Sequence, residues 1–403
     1  MSNQLDTSPL QIPDLKWPRG GGSPFPDIDQ SLLLHAALGK RDLALTSWES
    51  WKSRNDIMGQ LNYGSFRMLP MVYRQLMQYG LDDPLLPRLK GVYRQSWCKN
   101  QQLIHAVAGL SQAFESYGIP TMVLKGLPLS ILYYKDTGIR PMSDADVLIP
   151  LRHAARAIEV LEEAGWRSPK PEDIPFNIRY GKSMPFINDG GMEFDLHWHP
   201  FFESHSEESD QGFWDRSQVV QYHQLTSRCM GPTDTLLHVL IHGMRWNPDP
   251  PIRWIPDACT ILRTATDIDW EVFLNEVVKL RLAIPAKTAL HYLASEFGQE
   301  IPPAVNEELN KLRVGFAEKY VFRHHLKEDA ESLPEALMPR LRYLFSVYLR
   351  QSTGSNLLTQ LFGFMRFLLF RTEGKNRWKI LWYYFNPSKQ PAGRPKPTAP
   401  KQT

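Results

Sequence analysis

Ser143-Asp144-Ala145-Asp146-Val147-Leu148-Ile149, closed by Pro150, is the stretch on which the fold turns. Its second half is apolar and β-branched, so it reads as a strand entering a core with its acidic end at a cleft. Side chains at i and i+2 of a strand share a face, with Cα atoms about 7 Å apart. Asp144 and Asp146 are therefore presented together. Two carboxylates so placed repel each other unless positive charge lies between them. Hard oxygen donors at this spacing suit Mg²⁺, which takes one or two carboxylates and keeps positions for water and phosphate oxygens. An exposed acidic turn would account for the pair alone equally well.

A second stretch shifts that balance. In Glu193-Phe194-Asp195-Leu196-His197-Trp198-His199 the alternation is nearly unbroken. Phe194, Leu196 and Trp198 share one face; Glu193, Asp195, His197 and His199 share the other. A strand with one ionisable face needs bulk water or a functional cleft. Beside the Asp144 strand, Asp195 would complete a carboxylate cluster able to clamp attacking and leaving oxygens in phosphoryl or nucleotidyl transfer. Asp195 is also placed to accept the proton of an attacking hydroxyl. His197 and His199 on the same face would hydrogen-bond a substrate or a carboxylate.

Upstream, Ile119 to Leu124 is a short buried-strand pattern between Gly118 and Gly126, and Lys125-Gly126 leads into a helix expected from Pro128. Gly126 permits close backbone approach, the helix start would offer free N–H groups to a phosphate, and Lys125 adds a point charge. Arg140 has two roles open to it, gripping a triphosphate or fixing the loop by pairing with an aspartate. Met184 to Asn188 and Met192 to Trp198 read as two strands joined at Asp189-Gly190-Gly191.

Around this core the texture is helical. The expected order is a disordered arm over 1–27, a helical region over 28–118 capped by Asp29, a small α/β core over 119–230, and a second helical region over 231–350. A basic, aromatic, amphipathic segment follows over 351–386, then a disordered tail over 387–403. The expected class is α+β: a small mixed β-sheet core with flanking N- and C-terminal helical blocks. His238 and His242 lie four apart, yet Val239 stands where a zinc protease needs glutamate, so a cleft-lining or packed pair is favoured. The stretch from 357 to 386 could lie on an anionic membrane surface, bind a partner or pack on the helical block; packing is the favoured reading.

The 403 residues carry a net charge of +3, and much of that excess is the acid-free tail with Lys389, Arg394, Lys396 and Lys401. A nearly neutral body disfavours nucleic acid as the main partner. Cys98, Cys229 and Cys259 give neither a disulfide framework nor a metal pair. The opening residues lack a basic start followed by an apolar run, so the expected location is cytoplasmic.

Leu-Lys-Gly at 124–126, Arg-Pro-x-Ser-Asp-x-Asp-x-Leu-Ile at 140–149 and Phe-Asp-Leu-His-Trp at 194–198 resemble a family described as uncharacterised nucleotidyltransferases, within the DNA-polymerase-β-like superfamily. The resemblance spans roughly residues 30 to 265 and takes in Arg253-Trp254-Ile255-Pro256-Asp257, where Asp257 reads as a structural or supporting residue. It implies a mixed sheet with flanking helices, two Mg²⁺ ions, and transfer of a nucleoside monophosphate from an NTP to an acceptor hydroxyl. By position, Asp144 and Asp146 match the paired metal ligands and Asp195 the third carboxylate. Lys125, Gly126, Arg140 and Ser143 would be nucleotide-binding. The superfamily's Gly-Ser after the first strand is replaced here by Lys125-Gly126-Leu127. Members are often encoded near bacterial polysaccharide or peptide-modification genes, so the acceptor would be a small molecule, a peptide or a protein. The competing readings are a nucleotide-binding or scaffold protein of the same fold without turnover, and a peripheral membrane protein acting through residues 357–386.

Overall fold

The computed structural model describes residues 23–57, 59, 61–204, 206–245, 252–325, 337–352 and 357–370. Most of the expected arm, the basic aromatic segment beyond residue 370 and the expected tail lie outside the described residues.

Among the described residues four helices precede the sheet: α1 (Ile28–Leu38), α2 (Arg41–Arg54), α3 (Tyr63–Gln78) and α4 (Leu86–Ser116). Asp27, not Asp29, caps α1; its carboxylate accepts from the Gln30 amide at 2.8 Å while the Gln30 side chain accepts from the Asp27 amide. Asp29 lies in the first turn and pairs with Arg54 at 2.7 Å. The arm is docked from Ser23 onward rather than free through residue 27. Phe25 is buried against Tyr292, and the Trp254 indole donates to the Pro24 carbonyl at 2.9 Å. Helix α4 stops where Gly118 takes φ +68°, which lets its amide and that of Ile119 satisfy the last helical carbonyls.

The core follows as β1 (Met122–Leu124), a three-residue turn α5 (Gly126–Pro128) running into a π-helical segment (Leu129–Tyr133), β2 (Asp144–Leu148), α6 (Ala154–Glu163) and α7 (Ile174–Tyr180). Then come β3 (Ser183–Ile187), β4 (Glu193–His197), α8 (Glu207–Asp215), β5 (Gln218–Tyr222) and β6 (Leu225–Cys229). The six strands form one mixed sheet in the order β3-β4-β2-β1-β6-β5. Strand β2 runs antiparallel to β1 and parallel to β4, and β1 runs parallel to β6. Pro185, which cannot donate to a ladder, sits in β3 at the sheet edge, where that costs nothing. The expected β3–β4 hairpin is present. The β5–β6 hairpin was not legible in the sequence; its turn places His223, not a glycine, at φ +51°.

Helices α9 (Pro232–Gly243), α10 (Trp254–Thr264), α11 (Trp270–Lys279), α12 (Ala283–Phe297), α13 (Pro303–Lys311), α14 (Phe316–His325), α15 (Leu337–Gln351) and α16 (Leu357–Phe370) complete the described chain. No helix among the described residues is long and apolar enough to cross a membrane.

Strand alternation divides the interior in two. Val123, Ala145, Val147, Phe194 and Leu196 point to one face of the sheet and pack under α4 and α6 with Val107, Phe114, Ile158 and Leu161. Met122, Leu124 and Leu148 point to the other face and join a larger core shared by both helical blocks, with Leu33, Trp48 and Val72 from the first, and Leu240, Ile255 and Leu290 from the second. Blocks far apart in sequence thus close over one face of the sheet. That is the face to which period 2 directs Asp144, Asp146, Asp195 and His197.

Candidate active site

Strands β2 and β4 set the acidic groups in place. Their parallel register aligns Asp146 with Asp195 and Asp144 with Glu193. Adjacent strands lie about 4.8 Å apart, so Asp146 and Asp195 are cross-strand neighbours. Asp144, Asp146 and Asp195 all line a cavity of about 340 Å³ beneath the helical blocks. The tight donor cluster among the described residues is Asp146, Asp195 and His197, whose ligand atoms lie within 4.8 Å of one another. Asp144 lines the cavity beside that cluster, held by a 3.0 Å hydrogen bond from the Ser143 hydroxyl.

Asp146 is buried and well compensated. Its Oδ1 accepts from the Lys125 ammonium and, at 2.9 Å, from His197 Nε2. Burial works to raise its carboxyl, but Lys125 and His197 outweigh it and hold it well below the usual carboxylate range. His197 is fully buried; burial and the Lys182 charge push its imidazole down to about 3. It is therefore a neutral donor that orients Asp146 from behind and is not itself among the residues lining the cavity. Asp195 contrasts with both. No hydrogen bond or ion pair among the described residues holds it, and burial together with the Asp146 and Asp144 charges pushes its carboxyl up to about 7. Oxygen donors carrying more negative charge than their surroundings neutralise are what a hard divalent cation requires, so this donor set fits Mg²⁺.

Lys125 reaches Asp146 from a backbone at φ 53°, ψ −117°, a strained region for a residue with a Cβ. Gly126 is needed beside it, because a Cβ there would lie 2.5 Å from Arg140 Nη1 and 2.6 Å from the Met142 sulfur. The helix expected from Pro128 is present but short, and most of it is not α-helical. The α5 turn gives way to a π-helical turn in which the Tyr134 amide bonds the Leu129 carbonyl at 2.9 Å. The wider turn directs the Tyr134 hydroxyl to Asp257 at 2.9 Å. Of the two roles open to Arg140, the structure supplies the aspartate pair. Its guanidinium makes a forked contact with Asp257, Nε to Oδ1 at 2.9 Å and Nη2 to Oδ2 at 2.8 Å, while still bordering the cavity.

His199 does not share the cavity. The chain leaves β4 at His197, the period-2 rule ends there, and His199 Nδ1 instead meets Asp210 of α8. Ser143 is bound between Asp144 and Arg67, accepting from Arg67 Nη2 at 3.3 Å.

The cavity lining also contains residues that sequence reasoning did not assign. Arg67 from α3 stacks 3.5 Å from the Tyr63 ring centroid, and Arg253 donates to the Pro141 carbonyl. Among the described residues neither forms an ion pair with a carboxylate, although both line the cavity. Burial and the crowding of Arg140 and Arg67 push Arg253 down to about 9, which still leaves it charged at neutral pH. His238 and His242 of α9, expected as a cleft-lining or packed pair, line the cavity with stacked rings 6.2 Å apart; burial pushes both well below the usual histidine range, so they are neutral. The Arg253 segment is part of the family resemblance, but Arg67 carried no signal, since one arginine on an amphipathic helix does not show which cleft it will meet.

A mixed sheet covered by helices, with in-register aspartates on adjacent strands and arginines lining the same cavity, has the architecture of a nucleotidyltransferase. Residues 65–298, more than half of the chain, match the model of a family described as "Uncharacterised nucleotidyltransferase", and the chain belongs to that family. It is also similar to the crystal structure of an antigenic nucleotidyltransferase-like protein from Paracoccidioides brasiliensis, at 15% identity over 54% of this chain and 96% of that one, with a TM-score of 0.34. No curated protein matches the chain.

Proposed function

We propose that this chain is a Mg²⁺-dependent enzyme that moves a nucleoside monophosphate from an NTP to a hydroxyl of a small-molecule, peptide or protein acceptor in the cytoplasm. The observation that carries this reading is the in-register pair Asp146 and Asp195, beside Asp144 in a cavity that Arg67 and Arg253 also line. In the reaction the acceptor oxygen attacks the α-phosphorus, the bond from that phosphorus to the β-bridging oxygen breaks, and pyrophosphate leaves. Asp195, the least compensated carboxylate, accepts the hydroxyl proton. Arg67 and Arg253 take up the charge of the leaving pyrophosphate, and the Arg140–Asp257 pair holds the loop before β2 in place. Lys125 and His197 fix Asp146 in one orientation. When bound, Mg²⁺ would be held by Asp144, Asp146 and Asp195, neutralising their charge and polarising the phosphate oxygens. The test is pyrophosphate release from each NTP with Mg²⁺ in the presence of candidate acceptors. Undiminished release by a protein carrying Asp144→Asn and Asp146→Asn would overturn the assignment.

One observation favours a second reading, nucleotide binding without turnover. The Lys125 ammonium already contacts Asp146 and supplies part of the positive charge that a metal ion would bring. Calorimetry showing NTP binding that is indifferent to Mg²⁺, with no product formed, would select that reading.

A further inference from the structure

Helix α16 is apolar on two faces, and among the described residues only one of them is packed. Phe367 is buried against Tyr180 at 5.2 Å and Tyr348 at 5.8 Å, and Phe364 packs on Phe345 at 5.1 Å. The other face presents Leu358, Leu361, Phe362 and Met365, which follow the i, i+3, i+4, i+7 spacing of one helical stripe. These side chains are 80%, 44%, 67% and 59% exposed. The apolar surface continues onto α15 through Met338, 73% exposed, and a cleft lined by Leu341, Phe345, Leu361 and Phe364. A contiguous patch of this kind, unlike scattered apolar residues, marks a contact surface.

The charge of the sequence that carries it says what covers it. From Leu337 to Thr403 the chain has twelve Lys and Arg residues and a single acid, Glu373. The first 336 residues hold 34 basic and 42 acidic residues, a net charge of −8. The near-neutral total therefore conceals an acidic body and a strongly basic end. Arg366 is exposed on α16 itself, and Arg371, Lys375, Arg377 and Lys379 follow in sequence. Basic charge beside exposed Leu, Phe and Met matches an interface with anionic headgroups above and acyl chains below. Nucleic acid would satisfy the charge but would gain nothing from the apolar stripe.

We propose that the outer face of α16 docks onto an anionic lipid surface, with Leu358, Phe362 and Met365 inserted at the headgroup boundary and Arg366 at the headgroups. This proposal does not depend on the catalytic reading. The test is co-sedimentation of the full chain with vesicles of phosphatidylcholine alone and of phosphatidylcholine with phosphatidylserine. Binding is expected only with phosphatidylserine and should weaken as salt rises. Leu358→Ser with Phe362→Ser should lower that binding at least about tenfold with the melting temperature unchanged. Arg366→Gln, which leaves the apolar packing intact, should lower it about fivefold. Absence of binding, equal binding to both vesicle types, or binding unaffected by all three substitutions would overturn the proposal. So would a dimer, seen by light scattering, that the double substitution converts to monomer, because the face would then belong to a second copy of the chain.

Discussion

Asp195 and Asp257 line the same cavity, and their surroundings differ in almost every respect. Asp257 receives a forked Arg140 guanidinium and the Tyr134 hydroxyl, so its charge is matched where it stands. Asp195 stands beside two other carboxylates, with no ion pair among the described residues, and is pushed up to about 7. A buried carboxylate that is fully satisfied holds the fold together. One left unsatisfied is kept for something that arrives later. Within one cavity, pairing thus separates the wall that supports the site from the wall that would act.

The comparison can be broken at several points. The largest effect is expected on the unsatisfied side: Asp144→Asn with Asp146→Asn should reduce Mg²⁺-dependent pyrophosphate release by about 10⁴-fold, while circular dichroism shows the fold retained. On the satisfied side, Asp257→Ala strands the Arg140 guanidinium in the interior and should cost about 3–5 kcal/mol of stability in urea unfolding; a change within experimental error would show that the pair does not support the site. Arg253→Ala should raise KM for the NTP about tenfold, roughly 1.4 kcal/mol, with little change in Tm.

The smallest effect is the most diagnostic. Asp195→Asn removes a charge that the metal-free protein tolerates poorly, so it should abolish activity yet stabilise the metal-free fold by about 1 kcal/mol. The sign depends on pH. A carboxyl raised to about 7 in the folded state, above its unfolded value of 3.8, contributes stability at low pH that is lost as pH rises through about 7. The advantage of the variant should therefore grow as pH rises from 3.8 to about 7 and be complete above it, where Mg²⁺ should raise the Tm of the unmodified protein and leave that of the variant unchanged. A variant less stable than its parent at pH 8 would show that Asp195 has a partner after all.

Much of the site was legible because strands obey a strict period. Alternation alone put Asp144 and Asp146 on one face of their strand and Asp195 and His197 on one face of theirs, and the second strand called for bulk water or a functional cleft. It failed where the strand ended: His199 lies two residues beyond β4 and turns to Asp210. The β5–β6 hairpin was missed because its turn lacks glycine and because Gln218 and Val219 are both exposed, which blurs the alternation. The first helix was expected, but its cap was placed at Asp29 and not at Asp27, since both residues suit the role and only the backbone decides between them. The arm was judged by composition, which missed Phe25 as an anchor between the two helical blocks.

The sequence by itself determined which carboxylates share a face, because that follows from backbone geometry within a few residues. It also carried the Lys125-Gly126 turn and the motifs that resemble the family. Only the tertiary structure decided that Asp146 and Asp195 are neighbours in register, that Arg140 belongs to Asp257, and that Arg67 and Arg253 line the same cavity as the acids. Those facts depend on how distant segments close over one face of the sheet. An amphipathic helix records that it has a buried side, but nothing local in it specifies which cleft that side will complete.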